Sequence, residues 1–367
     1  MKKTAMWMCM ILGLSHAWRS PVWAQAPEPA ENAAPADAQA PEAPKKAAPA
    51  VAAHEEQPPA SGGDAQKASA VDAKEKKEKK EKNPLKFKGD IRYRHESIKK
   101  GDADMDHRHR VRMRFGAFSE ISENLEAGFQ IASGDGDPIS TNQTLSPAFT
   151  KKPMTIDLAF FQYRQKGWIL AGGKMKNPLF RPGDSPLIWD SDLTPEGMAA
   201  AYEIKTDSFQ FSLLGLAFWN ADRKGDEKDS HILGSQARAR FDFGGFILCA
   251  AGGFYDFTKI RNYGPLYEDK AFGNTLDAEN LYANDYNIVD AGVELKGKVG
   301  KIPFSVFGQL ALNLAADEEK TGFLAGFSLG DAQKAMGWKL SYNFRSLQKD
   351  AVFGTYADSD FIGSGTG

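Results

Sequence analysis

Arg108-His109-Arg110-Val111-Arg112-Met113-Arg114-Phe115-Gly116-Ala117-Phe118 carries arginine at every even position through 114, with Val111, Met113, Phe115 and Ala117 between and after them. A period of two is that of a strand, here with one cationic and one apolar face. In a water-soluble sandwich the apolar face would meet a core and the arginines solvent. In an outer-membrane barrel the same alternation sets lipid outside and a wet lumen inside. A basic side chain at the bilayer midplane costs roughly 2–4 kcal/mol on the lipid face, and a domain's whole stability is only about 5–15 kcal/mol. In a barrel, these four arginines must face the pore.

The rest of the chain decides between the two. From Leu85 onward about thirteen strands can be read, and many repeat the alternation. Ile91 and Tyr93 oppose Arg92 and Arg94; Leu125, Ala127, Phe129 and Ile131 oppose Glu126, Gly128 and Gln130. Leu233, Ala237, Ala239 and Phe241 oppose Gln236, Arg238 and Arg240, and Val289, Ala291, Val293 and Leu295 oppose Asp290 and Glu294. Phe304, Val306, Leu310 and Leu312 oppose Ser305, Gln309 and Asn313; Trp338, Leu340, Tyr342 and Phe344 oppose Lys339, Ser341, Asn343 and Arg345. Segments near 155–164, 168–175, 197–204 and 208–220 are aromatic-rich and ambiguous in phase.

Loop lengths give an independent test, because bacterial barrels place short turns on the periplasmic side and longer loops outside. With a periplasmic N-terminus the inner turns are 119–124, 165–167, 205–208, 242–245, 297–301 and 330–336. The outer loops are 99–107, 133–154, 176–196, 221–230, 258–285, 316–320 and 346–360. The outer set is the longer, with one near tie, and a soluble sandwich has no reason to sort its loops this way. Trp168, Trp219, Trp338, Tyr163, Tyr202 and Tyr342 are candidates for the aromatic girdles at the lipid headgroups.

The N-terminus is consistent with export. Met1-Lys2-Lys3, an apolar run through Leu14 and Val22-Trp23-Ala24 make residues 1–24 a secretory signal peptide. Residues 25–84 are rich in Ala, Pro, Glu and Lys, with no Phe, Trp or Tyr between Pro27 and Asn83. Such a segment cannot bury enough apolar area to offset chain entropy, so it is expected to be a disordered periplasmic spacer; peptidoglycan contact is its second reading. Residues 85–367 form the barrel. Of the two cysteines only Cys249 survives cleavage, so no intramolecular disulfide, metal site or cofactor is expected. With 46 Lys+Arg against 48 Asp+Glu, a general nucleic-acid binder is not indicated either.

Asp90-Ile91-Arg92-Tyr93-Arg94-His95-Glu96, the arginine strand, Gly128-Phe129-Gln130-Ile131-Ala132-Ser133-Gly134 with the Asp137 to Leu145 run, Gly172-Gly173-Lys174-Met175-Lys176-Asn177-Pro178 and Leu187-Ile188-Trp189-Asp190-Ser191-Asp192-Leu193-Thr194-Pro195-Glu196-Gly197 together resemble a family of bacterial outer-membrane porins. The resemblance covers roughly Leu85 to the end and implies a diffusion channel for small hydrophilic solutes, assembled as a homotrimer. Thirteen strands would leave the chain on the outer side, and family members continue past residue 367. Phe361-Ile362-Gly363-Ser364 also reads as the start of a descending strand. A complete barrel of about 14–18 strands is therefore expected to need more chain than this.

The expected pore lining is Arg92, Arg94, Arg110, Arg112, Arg114, Glu126, Gln130, Arg238, Arg240, Asp290 and Glu294. The proline-bearing loop 176–196 carries Asp184, Asp190, Asp192 and Glu196; folded inward, these would set a transverse field against the arginines. The rival is that the arginines pair with Asp90, Glu96 and Glu126 on the wall and stiffen it. The arginine excess on the first two strands favours anions. Ser133-Gly134-Asp135-Gly136-Asp137-Pro138 lacks the distal glutamate of a calcium loop and reads as a solvated turn. Two other classes compete: a cell-wall tether or adhesin, resting on the spacer, and a hydrolase, for which His95, His107, His109 and His231 offer no recognisable serine spacing.

Overall fold

The alternating segments are strands in the computed structural model, which describes residues 10–11, 85–99, 104–145, 148–225, 228–333, 336–358 and 365–367. All of these belong to one unit of the chain, Met1–Ala33 with Pro84–Gly367. The expected spacer, and the expected signal peptide apart from Met10 and Ile11, lie outside the described residues.

Among the described residues thirteen long strands follow one another: β1 Leu85–Ile98, β2 Asp106–Glu120, β3 Leu125–Ser133, β4 Met154–Gln165, β5 Trp168–Lys174, β6 Glu196–Lys205, β7 Phe209–Ala221, β8 Ser230–Asp242, β9 Ile247–Phe257, β10 Tyr286–Val299, β11 Ile302–Asn313, β12 Thr321–Gly330 and β13 Lys339–Leu347. Each pairs antiparallel with its sequence neighbours in a single up-and-down meander. Met10–Ile11 pairs with Leu340 and Lys339 on the free side of β13, and Gln143–Thr144 extends the pairing of β2 beyond the end of β3. Among the described residues β1 and β13 are not joined, so the sheet is open there.

Burial settles which way the pleat points. Arg108, Arg110 and Arg112 are buried, whereas Met113 and Phe115 are 41% and 52% exposed. The inversion runs round the wall: Ile91, Tyr93, Leu213, Val293, Val306, Leu310 and Phe344 are exposed, while Gln236, Asp290, Glu294, Gln309 and Asn313 are buried. Greasy residues that would form the core of a soluble protein face outward, as lipid requires. Trp168, Tyr202, Trp219, Trp338 and Tyr342 lie on that exposed surface, and Trp168 packs on Tyr202 beside the short turn 166–167.

The ambiguous strands have a specific cause. On β6 and β7 the inward residues Ala199, Ala201, Leu214, Leu216 and Phe218 are apolar too, and are buried in one cluster with Leu179, Leu187, Ile188, Trp189 and Leu193, against which Phe160 of β4 and Ile169 and Ala171 of β5 also pack; Ile232 of β8 and Tyr255 and Phe257 of β9 join the same cluster. Leu179, Leu187, Ile188, Trp189 and Leu193 belong to the connection 175–195, which turns inward and covers this stretch of wall. One face of these strands meets lipid and the other meets the loop, so the sequence loses its alternation.

Candidate functional site: a cationic ladder and an inward loop

On the inward face of β1 and β2 the register sets Arg92 opposite Arg112 and Arg94 opposite Arg110. Like charges directly opposed are unfavourable. Carboxylates at either end relieve them: Asp90, opposite Arg114, takes Arg112 and Arg114, each at 2.8 Å, and Glu96, opposite Arg108, takes Arg94 and Arg108. Arg92 and Arg110 converge on Asn142, the first donating to its side-chain oxygen at 2.5 Å and the second to its carbonyl at 3.2 Å. Asn142 lies in the returning part of the connection 134–153, where Ser133 Oγ donates to the Thr141 carbonyl. Six arginines thus stand with Asp90 and Glu96 along this inward face, so arginine outnumbers carboxylate in the ladder.

The loop 175–195 spans the interior. Gln236 on β8 clamps it, accepting from Phe180 N–H at 2.8 Å and donating to the Phe180 carbonyl at 3.0 Å. Its tip is the one-turn 3₁₀ segment Pro182–Asp184. Gly183 there has φ of +60°, and a Cβ on it would fall 2.2 Å from the Phe307 ring of β11; Pro182 similarly abuts Gly292 of β10. Glycine is therefore required at 183 by backbone and by space at once. The returning arm seats Trp189, 2% exposed, stacked 5.7 Å from Phe257 and edge-on 5.2 Å from Tyr255, with Tyr356 at 6.5 Å. The segment after β13 completes this packing: Asp190 N–H donates to the Tyr356 carbonyl at 2.8 Å, and Asp358 pairs with Arg345 at 3.1 Å.

The four acidic residues of the loop have four different surroundings. Asp184 sits at the tip, within electrostatic reach of Arg181, Lys296 and Lys339, and burial raises its pKa. Asp190 is enclosed; burial pushes its carboxyl up to about 8, against the hydrogen bond from the Asp192 backbone N–H and the charge of Arg181. Asp192 acts electrostatically on Arg112 across the interior. Glu196 begins β6 and pairs with Lys174 at 2.9 Å on an exposed surface. Of the four, Asp192 is thus the one whose charge acts on a ladder arginine.

The other expected lining residues divide similarly. Gln130 donates to Asp157 at 2.6 Å, and Glu126 is half-buried on β3. Arg240 lies 3.6 Å from Asp242, while Arg238 sits over the Phe180 ring, 4.5 Å from its centroid. Asp290 accepts from Gln309 at 2.9 Å and Glu294 from Ser305 at 2.7 Å, near the loop tip. Asn142, Trp189 and the Gln236 clamp were missed as site residues. The sole signal for Trp189 was a lone tryptophan in a loop otherwise rich in Pro and Asp.

Three of the histidines the hydrolase reading considered gather on the lipid-facing side of β1 and β2. Ser97 Oγ lies 2.9 Å from His107 Nδ1 and 3.1 Å from His95 Nε2, and His95 and His109 are 4.6 Å apart. All four residues are exposed, and among the described residues no carboxylate is hydrogen-bonded to these imidazoles.

An antiparallel meander with an apolar exterior, a charged interior and a loop folded across that interior defines the class: a channel protein of the bacterial outer membrane. The sequence matches the family model described as "Putative porin" over residues 62–272, more than half of the chain, and the chain belongs to that family. Among solved structures it is similar to Pseudomonas putida OprB, at high pH, with a TM-score of 0.50 and 12% identity over 73% of this chain and 76% of that one. It also matches Salmonella typhi OmpF in complex with daunomycin, with a TM-score of 0.38 and 10% identity over 71% of this chain and 97% of that one. No curated protein matches.

Proposed function

We propose that this protein is a porin for passive diffusion of small hydrophilic solutes, with a preference for anions, through a lumen that the loop 175–195 narrows. The observation that carries the preference is the ladder: Arg92, Arg94, Arg108, Arg110, Arg112 and Arg114 on one inward face, against Asp90 and Glu96. Fixed charge of one sign along a low-dielectric wall concentrates the opposite ion. The Asp192 charge, which acts on Arg112, adds a transverse component. The residues expected from the sequence to line the pore are assigned that role here, with Arg108 added.

In planar bilayers the full-length protein is expected to give stable conductance steps, and a salt gradient a zero-current potential of anionic sign. A cation-selective potential overturns the preference; no steps at all favour the tether. Assembly as a homotrimer, implied by the family resemblance, is read from the mass of the detergent complex.

A further inference from the structure

Between the loop and the wall lies a hollow of about 50 Å³ lined by Ile169, Ala171, Ala199, Ala201, Leu214 and Phe180, with Arg238, Gln236, Gln162 and Ser212 at its polar side. Arg238 stands on β8, apart from the ladder of β1 and β2. Among the described residues no carboxylate lies within ion-pair distance of it; its neighbours are the Phe180 ring and, at 4.0 Å, Cys249 Sγ, and its buried Nε has no hydrogen-bond partner. A buried donor left unsatisfied is costly, and an arginine presents a planar fork that matches a carboxylate.

We propose that this hollow is a binding subsite for short-chain aliphatic monocarboxylates, the carboxylate on Arg238 and the alkyl tail against Ile169, Ala171, Ala199, Ala201 and Leu214. The volume sets the tail. A water molecule's share of liquid is about 30 Å³, so the hollow takes roughly two carbon groups, as in propionate. A bare inorganic anion would satisfy Arg238 and leave the apolar lining unused. A longer chain would have to displace Phe180, which the Gln236 clamp holds at both its N–H and its carbonyl.

This deepens the anion-channel reading and rests on it, so the test keeps the two apart. Zero-current potential in KCl tests the channel's selectivity alone. Block of single-channel chloride current is then titrated with sodium acetate, propionate, butyrate and hexanoate on the wild-type protein. The expected result is tightest block by propionate, weakened about tenfold or more in Arg238→Gln, the loss of one charge-assisted contact of roughly 1.4 kcal/mol or more. Ala199→Leu, which fills the hollow and keeps the arginine, is expected to erase the difference between acetate and propionate. Block that is flat with chain length, or that rises steadily through hexanoate, overturns the subsite even if the channel is anion-selective, and this arm needs no variant to fold. Propionate block that survives Arg238→Gln unchanged overturns it as well.

Discussion

Trp189→Ala is expected to free the loop 175–195 without opening the wall. The side chain is 2% exposed among Tyr255, Phe257 and Tyr356 and contributes nothing to the strand ladders. Truncating a buried tryptophan costs about 3–5 kcal/mol, and within that figure the ring pairings account for roughly 0.5–1.5 kcal/mol each. At 1.4 kcal/mol per factor of ten, a loss of about 4 kcal/mol raises the ratio of released to seated loop nearly a thousandfold. The Gln236 clamp and the Gly183 seat remain, so the arm after the tip moves first. Single-channel recording is expected to show larger and noisier steps, and chymotrypsin to cut after Leu187 or Leu193 on the freed arm, both buried while the loop is seated. Heat-modifiable gel mobility checks that the sheet is intact. Wild-type conductance together with wild-type protection, in a correctly inserted protein, would show that Trp189 does not hold the loop.

Gly183→Ala imposes a left-handed residue with a side chain and a clash with Phe307, so it is expected to unseat the tip and resemble Trp189→Ala in the same recordings. Asp190 has a folded-state pKa near 8, well above its unfolded value, so its contribution is fully present below about pH 4 and is lost as pH rises through about 8. Protease protection of the loop is accordingly expected to weaken between about pH 4 and about pH 8 and to level off above that, and Asp190→Asn to flatten this dependence; a profile that Asp190→Asn leaves unchanged refutes the assignment. Arg110→Gln with Arg112→Gln is expected to shift the zero-current potential toward cations, and an unmoved potential would place the selectivity elsewhere. Phe115→Arg, on the exposed face, is expected to cost roughly 2–4 kcal/mol near the bilayer centre and to lower the yield of inserted protein in vesicles.

Strand existence, phase and number were legible wherever one face meets lipid and the other meets charge. Arg110 and Arg112 against Met113 and Phe115, or Asp290 and Glu294 against Val293, could be assigned from alternation alone, because lipid tolerates no buried-charge compromise on its side. The phase was illegible on β6 and β7, where Leu214, Leu216 and Phe218 point inward and Leu213 and Trp219 outward, all apolar. The inward partner there is a loop distant in sequence, and no local period encodes it.

Chain order and local chemistry determined a great deal unaided: an exported all-β chain, thirteen strands, short turns alternating with long connections, and arginines on the inner face. These follow from two-residue periodicity and from the cost of charge in hydrocarbon, both readable within a single strand. The tertiary structure alone decided that Asn142 reaches both Arg92 and Arg110, that Trp189 seats among Tyr255, Phe257 and Tyr356, and that Asp184, Asp190, Asp192 and Glu196 part company. Those contacts join residues tens to more than a hundred positions apart, and a loop's destination depends on the shape of the surface that receives it.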